Sequence, residues 1–198
     1  MQQKNLTIGL GALVIILAIC LVVVFAKLPK SSEKESDWSE LLKSATYTFI
    51  LPSGKDAVSE KTLTLSGGSA YTMDGTVCSI VDAKNNEVIA YSSNGSDIGA
   101  VAAYCNYGAS QTDVFLVTFK NVGNNLQQTG IVNVRQNKAL LDRNTTKLVV
   151  RSLTIENNEA ILVSLVVPES LRYAPSYKQV ASEPVILTYT IETNGAIK

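Results

Sequence analysis

The residues of this chain that could do chemistry are few and scattered. Histidine is absent, which removes Ser-His-Asp and Cys-His catalysis and every His-ligated metal site. A serine–lysine hydrolase needs no histidine, and Ser31-Ser32-Glu33-Lys34 fits S-x-x-K as written. Catalysis would need the two side chains held in reacting geometry. The stretch instead lies in a charged, Ser-rich linker, and no S-D-N or K-T-G element accompanies it. Calcium needs several oxygen ligands converging on one loop. Asp74-Gly75 and Asn94-Gly95-Ser96-Asp97 offer one carboxylate each, and turn and cap chemistry accounts for both. No catalytic residue, cofactor or metal ligand is therefore assigned, and the chain reads as a binding protein more than an enzyme.

Cys78 and Cys105 are the two cysteines of the polar part of the chain. In an oxidising compartment such a pair reads as a disulfide, and otherwise as two buried thiols. Closing that loop would contribute about 3.5 kcal/mol in the chain-entropy view.

Charge is balanced overall, with 17 lysines plus arginines against 17 aspartates plus glutamates, so no nucleic-acid partner is expected. Within the chain it is uneven. From Val114 to Ile155, Lys120, Arg135, Lys138, Arg143, Lys147 and Arg151 stand against Asp142 alone. Such a run is read as facing anionic headgroups or an anionic envelope polymer, or as a solvated strand face. Tyrosines pair at Tyr104/Tyr107 and at Tyr173/Tyr177 around Pro175. They would serve as contact aromatics toward an envelope protein or as half-buried rims.

What positions these residues begins with Ile8–Ala26, an apolar run without a charge. As a helix it would span roughly 28 Å, close to the hydrocarbon thickness of a bilayer. It is longer than a signal-peptide core, so it reads as a single transmembrane signal-anchor, although Val24-Phe25-Ala26 would suit cleavage and a secreted domain. Leu17-Ala18-Ile19-Cys20 makes a poor lipobox, because the chain stays apolar after it. Residues 1–7 form the expected cytoplasmic tail, 27–36 a linker and 37–198 an extracytoplasmic domain. The lysines at 27, 30 and 34 favour the opposite orientation. The cysteine pair and the Ser/Thr/Asn-rich body favour export.

In the domain, Asp37–Ala45 reads as a short helix with Trp38, Leu41, Leu42 and Ala45 on one face. Ser96–Cys105 reads as a second, with Ile98, Val101, Ala102 and Cys105 together. Strands are expected at Thr46–Leu51, Lys61–Ser66, Val77–Val81, Val88–Tyr91, Val114–Phe119, Ile131–Val134, Leu148–Ile155, Ile161–Val167 and Val185–Glu192. Tight hairpins are expected at the Asn-Asn pairs of 82–87 and 156–159, and a long loop at Pro168–Pro184. Asn121–Thr146 reads as otherwise polar connection. The fold class is mainly β, a sandwich or an α+β sheet, with one or two short helices. The function implied is a single-pass envelope protein with a binding or scaffolding domain. The alternatives are an envelope hydrolase whose His-free site only the fold assembles, and a cleaved binding domain.

Overall fold

The computed structural model describes residues 32–52, 58–93, 97–107, 112–123, 125–141, 145–168 and 183–198. The apolar run 8–26 lies outside them, as do Arg143, Tyr173 and Tyr177. Among the described residues no helix is long and apolar enough to cross a membrane.

Helix α1 (Ser32–Ser44) contains most of the expected helix but starts inside the stretch read as linker. Glutamate and lysine are good helix formers, so a helix fixed by its buried residues extends readily through Glu33-Lys34-Glu35. Trp38, Leu42 and the following Ala45 are buried, and Leu41 is half-buried. Strands β1 (Thr46–Pro52) and β2 (Val58–Thr64) then pair antiparallel in regular register, Thr46 opposite Thr64 and Pro52 opposite Val58. Alternation turns Tyr47, Phe49 and Leu51 into the core. It turns Thr46 and Thr48 outward, where their hydroxyls bond those of Thr64 and Thr62 at 2.9 and 3.0 Å.

The central sheet holds β3 (Ser69–Tyr71), β4 (Val77–Ser79), β5 (Tyr91–Ser93), β6 (Ile98–Asn106), β7 (Thr112–Val122) and β8 (Asn125–Asn133). Their order is β3-β4-β6-β7-β8, with β5 also paired to β6. β4 lies along Tyr104–Asn106 and β5 along Gly99–Val101, so two short strands share one edge of β6. The expected helix at Ser96–Cys105 is therefore wrong: Ile98–Asn106 is a strand. Both faces of β6 are covered, so it shows no polar alternation, and its small residues read as helix formers.

A 3-10 turn (Val134–Gln136) and a single-turn helix α2 (Lys138–Leu141) lead to the last sheet. β9 (Thr145–Glu156), β10 (Glu159–Pro168) and β11 (Glu183–Thr190) pair in the order β11-β10-β9. Asn157 and Asn158 take φ of 48° and 63°, the left-handed pair that a two-residue hairpin requires. Asn86, at φ 58°, turns the chain between Val81 and Val88, which form a bridge. Both Asn-Asn hairpins are thus where the sequence put them, but only the second joins two long strands.

The described residues are mainly β and build three layers. Alternate residues of the central strands enter opposite cores. Ala100, Ala102, Val114 and Leu116 meet Leu148, Val150, Leu162 and Leu187 of the three-stranded sheet. Val101, Ala103, Phe115, Val117 and Phe119 meet Trp38, Leu42, Tyr47 and Phe49 on the other face. There Tyr47 and Phe119 pack edge to face at 4.9 Å, and Phe49 and Phe115 pack tilted at 5.5 Å. Leu42 is 1 % exposed, so Leu42→Ala should cost about 2–5 kcal/mol, the range for a buried leucine that leaves a cavity. Urea unfolding monitored by Trp38 fluorescence checks this, and an unchanged midpoint would show that α1 contributes nothing to the core.

Tyr47 is fully buried and donates its hydroxyl to the carbonyl of Leu42 at 3.1 Å. Burial pushes its phenol far above the usual tyrosine range. The folded state therefore keeps this proton while the unfolded chain loses it near pH ~10. The associated stability is complete below that pH and declines as pH rises toward the folded value. Alkaline unfolding should begin above about pH 10, and Tyr47→Phe should flatten the fall of stability with pH there. A slope identical in the two proteins would assign the alkaline loss to other groups.

Candidate functional site

Directly opposite one another on β4 and β6, Cys78 and Cys105 form a disulfide, with Cα atoms 4.1 Å apart. Both are wholly buried against the α1 side of the central sheet. The pairing read from the sequence is present, though on two strands rather than on a strand and a helix.

The described basic residues do not gather into one site, although Lys147 and Arg151 share a cleft. Lys120 lies exposed near the end of β7, opposite Ile98. Arg135 sits in the 3-10 turn, beyond the other end of that strand. It makes an ion pair with Asp113 through Nε at 3.3 Å. Asp113 also accepts hydrogen bonds from the Tyr107 hydroxyl and, at 2.9 Å, from Asn133 Nδ2. Burial first, then Asp113, pushes the Tyr107 phenol upward. Asp113 and Lys120 stand roughly 23 Å apart along an extended strand. The sequence window from Val114 excluded Asp113 by one residue, and so excluded the partner of one of its cations.

Lys147 and Arg151 project from β9 into a cleft of about 760 Å³ shared with Asp82, Glu87, Asn85 and Asn106. Tyr104 forms part of its wall. Its hydroxyl accepts the Val150 N–H at 2.7 Å, tying β6 to β9. Burial raises its phenol, while Val150 N–H and Arg151 work in the other direction. The turn at 82–87 carries its own carboxylate bonds, from Lys84 N–H to Asp82 at 2.7 Å and from the Asn85 amide to Glu87 at 2.6 Å. This cleft thus presents cations on one wall and carboxylates on the other.

Lys138 borders a different space, a groove of about 560 Å³ between β1, β8 and β11. Phe115, Ile131 and Val132 are among its apolar lining, with Ile50, Val58, Asn133, Thr188, Tyr189 and Lys198 beside them. No protein-family model matches this chain, and neither does any curated protein or solved structure. Among the described residues, no three His, Cys, Asp or Glu side chains gather as a metal site would require.

Sequence reasoning missed the roles of three residues that shape this region. Gln128 lies on β8, in a stretch read as polar connection. Its carboxamide accepts the Thr48 N–H at 2.8 Å and donates to the Thr48 carbonyl at 3.0 Å, as a neighbouring strand would. Thr129 and Thr118 both donate to the Gly195 carbonyl, at 2.9 and 2.7 Å. Polar side chains on β8 and β7 thus bind other layers by their backbones. The one available signal was Gly123, whose positive φ of 59° lies between Val122 and Asn125, the last pair of the β7–β8 ladder.

Proposed function

We propose that this chain is a single-pass membrane-anchored envelope protein whose β-rich extracytoplasmic domain binds or scaffolds other envelope components. The observation that carries the reading is the buried disulfide, since such bridges persist in oxidising compartments and are rare in the cytosol. The apolar run 8–26 supplies the anchor. Two clefts of ligand-binding size support a binding role. Exposed Lys120, Lys138, Lys147 and Arg151 offer contacts to an anionic polymer or headgroup surface. The full-length protein should stay in the membrane pellet after alkaline carbonate extraction. Recovery of a soluble form beginning near Lys27 would establish a cleaved, secreted domain instead.

A further inference from the structure

The groove between β1 and β11 is walled by strand edges whose backbone groups point into it. In an antiparallel pair, alternate residues direct both N–H and C=O to the same side. Thr48 gives both groups to Gln128, away from β2. The β1–β2 register is regular, so Ile50 turns its own N–H and C=O the same way, just past the Gln128 clamp. On the other wall, Thr190 exchanges hydrogen bonds with Lys198 at 3.1 and 3.0 Å, away from β10. That register is regular too, so Thr188 directs its backbone groups outward beside the groove. Each edge is closed again nearby, by Pro52 and Pro184, which have no N–H to offer. Between these stops lies a short gap lined by Ile50 and Thr188. Ile50 and Val58 are 52 % and 70 % exposed at its mouth.

We propose that this groove binds an extended segment of a partner protein by strand addition, at the Ile50 and Thr188 edges. The reading rests on the domain being a binding module and names its partner chemistry. Backbone edges of this kind select an extended peptide, and the apolar lining contributed by Phe115, Ile131 and Val132 selects branched apolar side chains on it. Charge selects further. Asp113, the carboxylate of the lining, is occupied by Arg135, Tyr107 and Asn133. Lys138 and Lys198 leave the rim basic, although Lys198 is paired with Glu192. The segment therefore carries a carboxylate that reaches Lys138.

The probe is a fluorescent seven-residue peptide of sequence Thr-Val-Thr-Val-Glu-Val-Thr, titrated into the full-length chain in detergent micelles. Binding should slow amide exchange at Ile50, Thr188 or both. N-methylation of alternate peptide amides should weaken binding about tenfold or more, because it removes the inter-strand donors. Ile50→Pro should do the same from the protein side, since the lost N–H faces the groove and not β2. Lys138→Glu should weaken this peptide and favour one with lysine in place of its glutamate. Absence of binding at millimolar peptide, binding indifferent to N-methylation, or unchanged exchange at both amides would each overturn the proposal. Occupation of the groove by a second copy of the chain, seen as a dimer that Ile50→Pro dissolves, would overturn it too. Peptide binding in micelles does not depend on cellular topology. A failure here thus leaves the envelope assignment standing, and a failure of carbonate extraction leaves the groove standing.

Discussion

Lysine in place of Ala103 is expected to unfold the domain. Ala103 is wholly buried on β6, among Phe115, Val117 and the α1 layer. A lysine there must bury its ammonium or lose its proton. Fully buried lysines have pKa values depressed by up to 3–5 units, which at neutral pH corresponds to about 4–5 kcal/mol, because the group deprotonates once its pKa falls below the pH. Overpacking adds to this. Domains of this size are stable by about 5–15 kcal/mol, so circular dichroism should show a largely unfolded population. Thr62→Lys, on the exposed face of β2, should leave it folded. Gly99→Ala gives a gentler version with opposite signs in the two possible structures. In an exposed helix it would stabilise by about 1 kcal/mol. On this strand a Cβ would come within 2.6 Å of the Trp38 ring, so the same substitution should destabilise by about 1–3 kcal/mol. A stable, folded Ala103→Lys together with a stabilising Gly99→Ala would restore the helix and remove the central sheet.

That comparison shows where the sequence was legible. Strands buried on one face announce themselves by alternation. Thr46–Leu51 read correctly for that reason, Val185–Glu192 did so apart from its ends, which lie at Glu183 and Thr190, and Asn157-Asn158 fixed the turn between β9 and β10. Strands buried on both faces lose the alternation. Val114–Phe119 survived because β-branched and aromatic residues dominate it. Ile98–Cys105 did not, because a tryptophan packed over Gly99 demands small residues, and those residues also favour helices. β8 was read only at its end, Ile131–Asn133, and its first part was missed for the opposite reason. Its Asn, Gln and Thr side chains look like loop chemistry, but Gln128 bonds the backbone of Thr48 and Thr129 that of Gly195.

The sites were less legible than the fold, and the reason is again geometric. A disulfide needs only two residue types and one distance, and Cys78 and Cys105 were the two thiols of the domain. A groove made of backbone edges has no residue-type signature at all. Ile50 and Thr188 are ordinary strand residues, and only the pairing on their other sides shows that their amides face outward. The basic run had a signature, but sequence proximity did not become spatial proximity. Lys120, Arg135 and Arg151 lie at different ends or on different sheets of the domain.

Cys78 and Cys105 in protein taken from cells should resist maleimide when unfolded without reductant, and both should react after reduction. Cys20 is first replaced by serine so that only the domain thiols are counted. The experiment separates compartment from fold. The two sulfurs are juxtaposed by the β4–β6 ladder itself, since Cys78 is the direct partner of Cys105. Export should therefore oxidise them, whereas a cytosolic domain would keep them as adjacent thiols. Two freely reacting thiols would turn the topology round and leave the fold intact. The bridge also has a mechanical role that sets the size of its loss. β3 and β4 are three residues each, too short to hold an edge by ladder bonds alone. The disulfide fastens them to β6 and encloses the 82–87 turn and β5 between its ends. Cys78→Ser should cost about 2–5 kcal/mol, the usual loss for an exported domain. Amide exchange should accelerate first at Ala70 and Ser79, before the β6–β7 ladder opens. A uniform acceleration across all three layers would instead mean that the edge never opens separately from the whole domain.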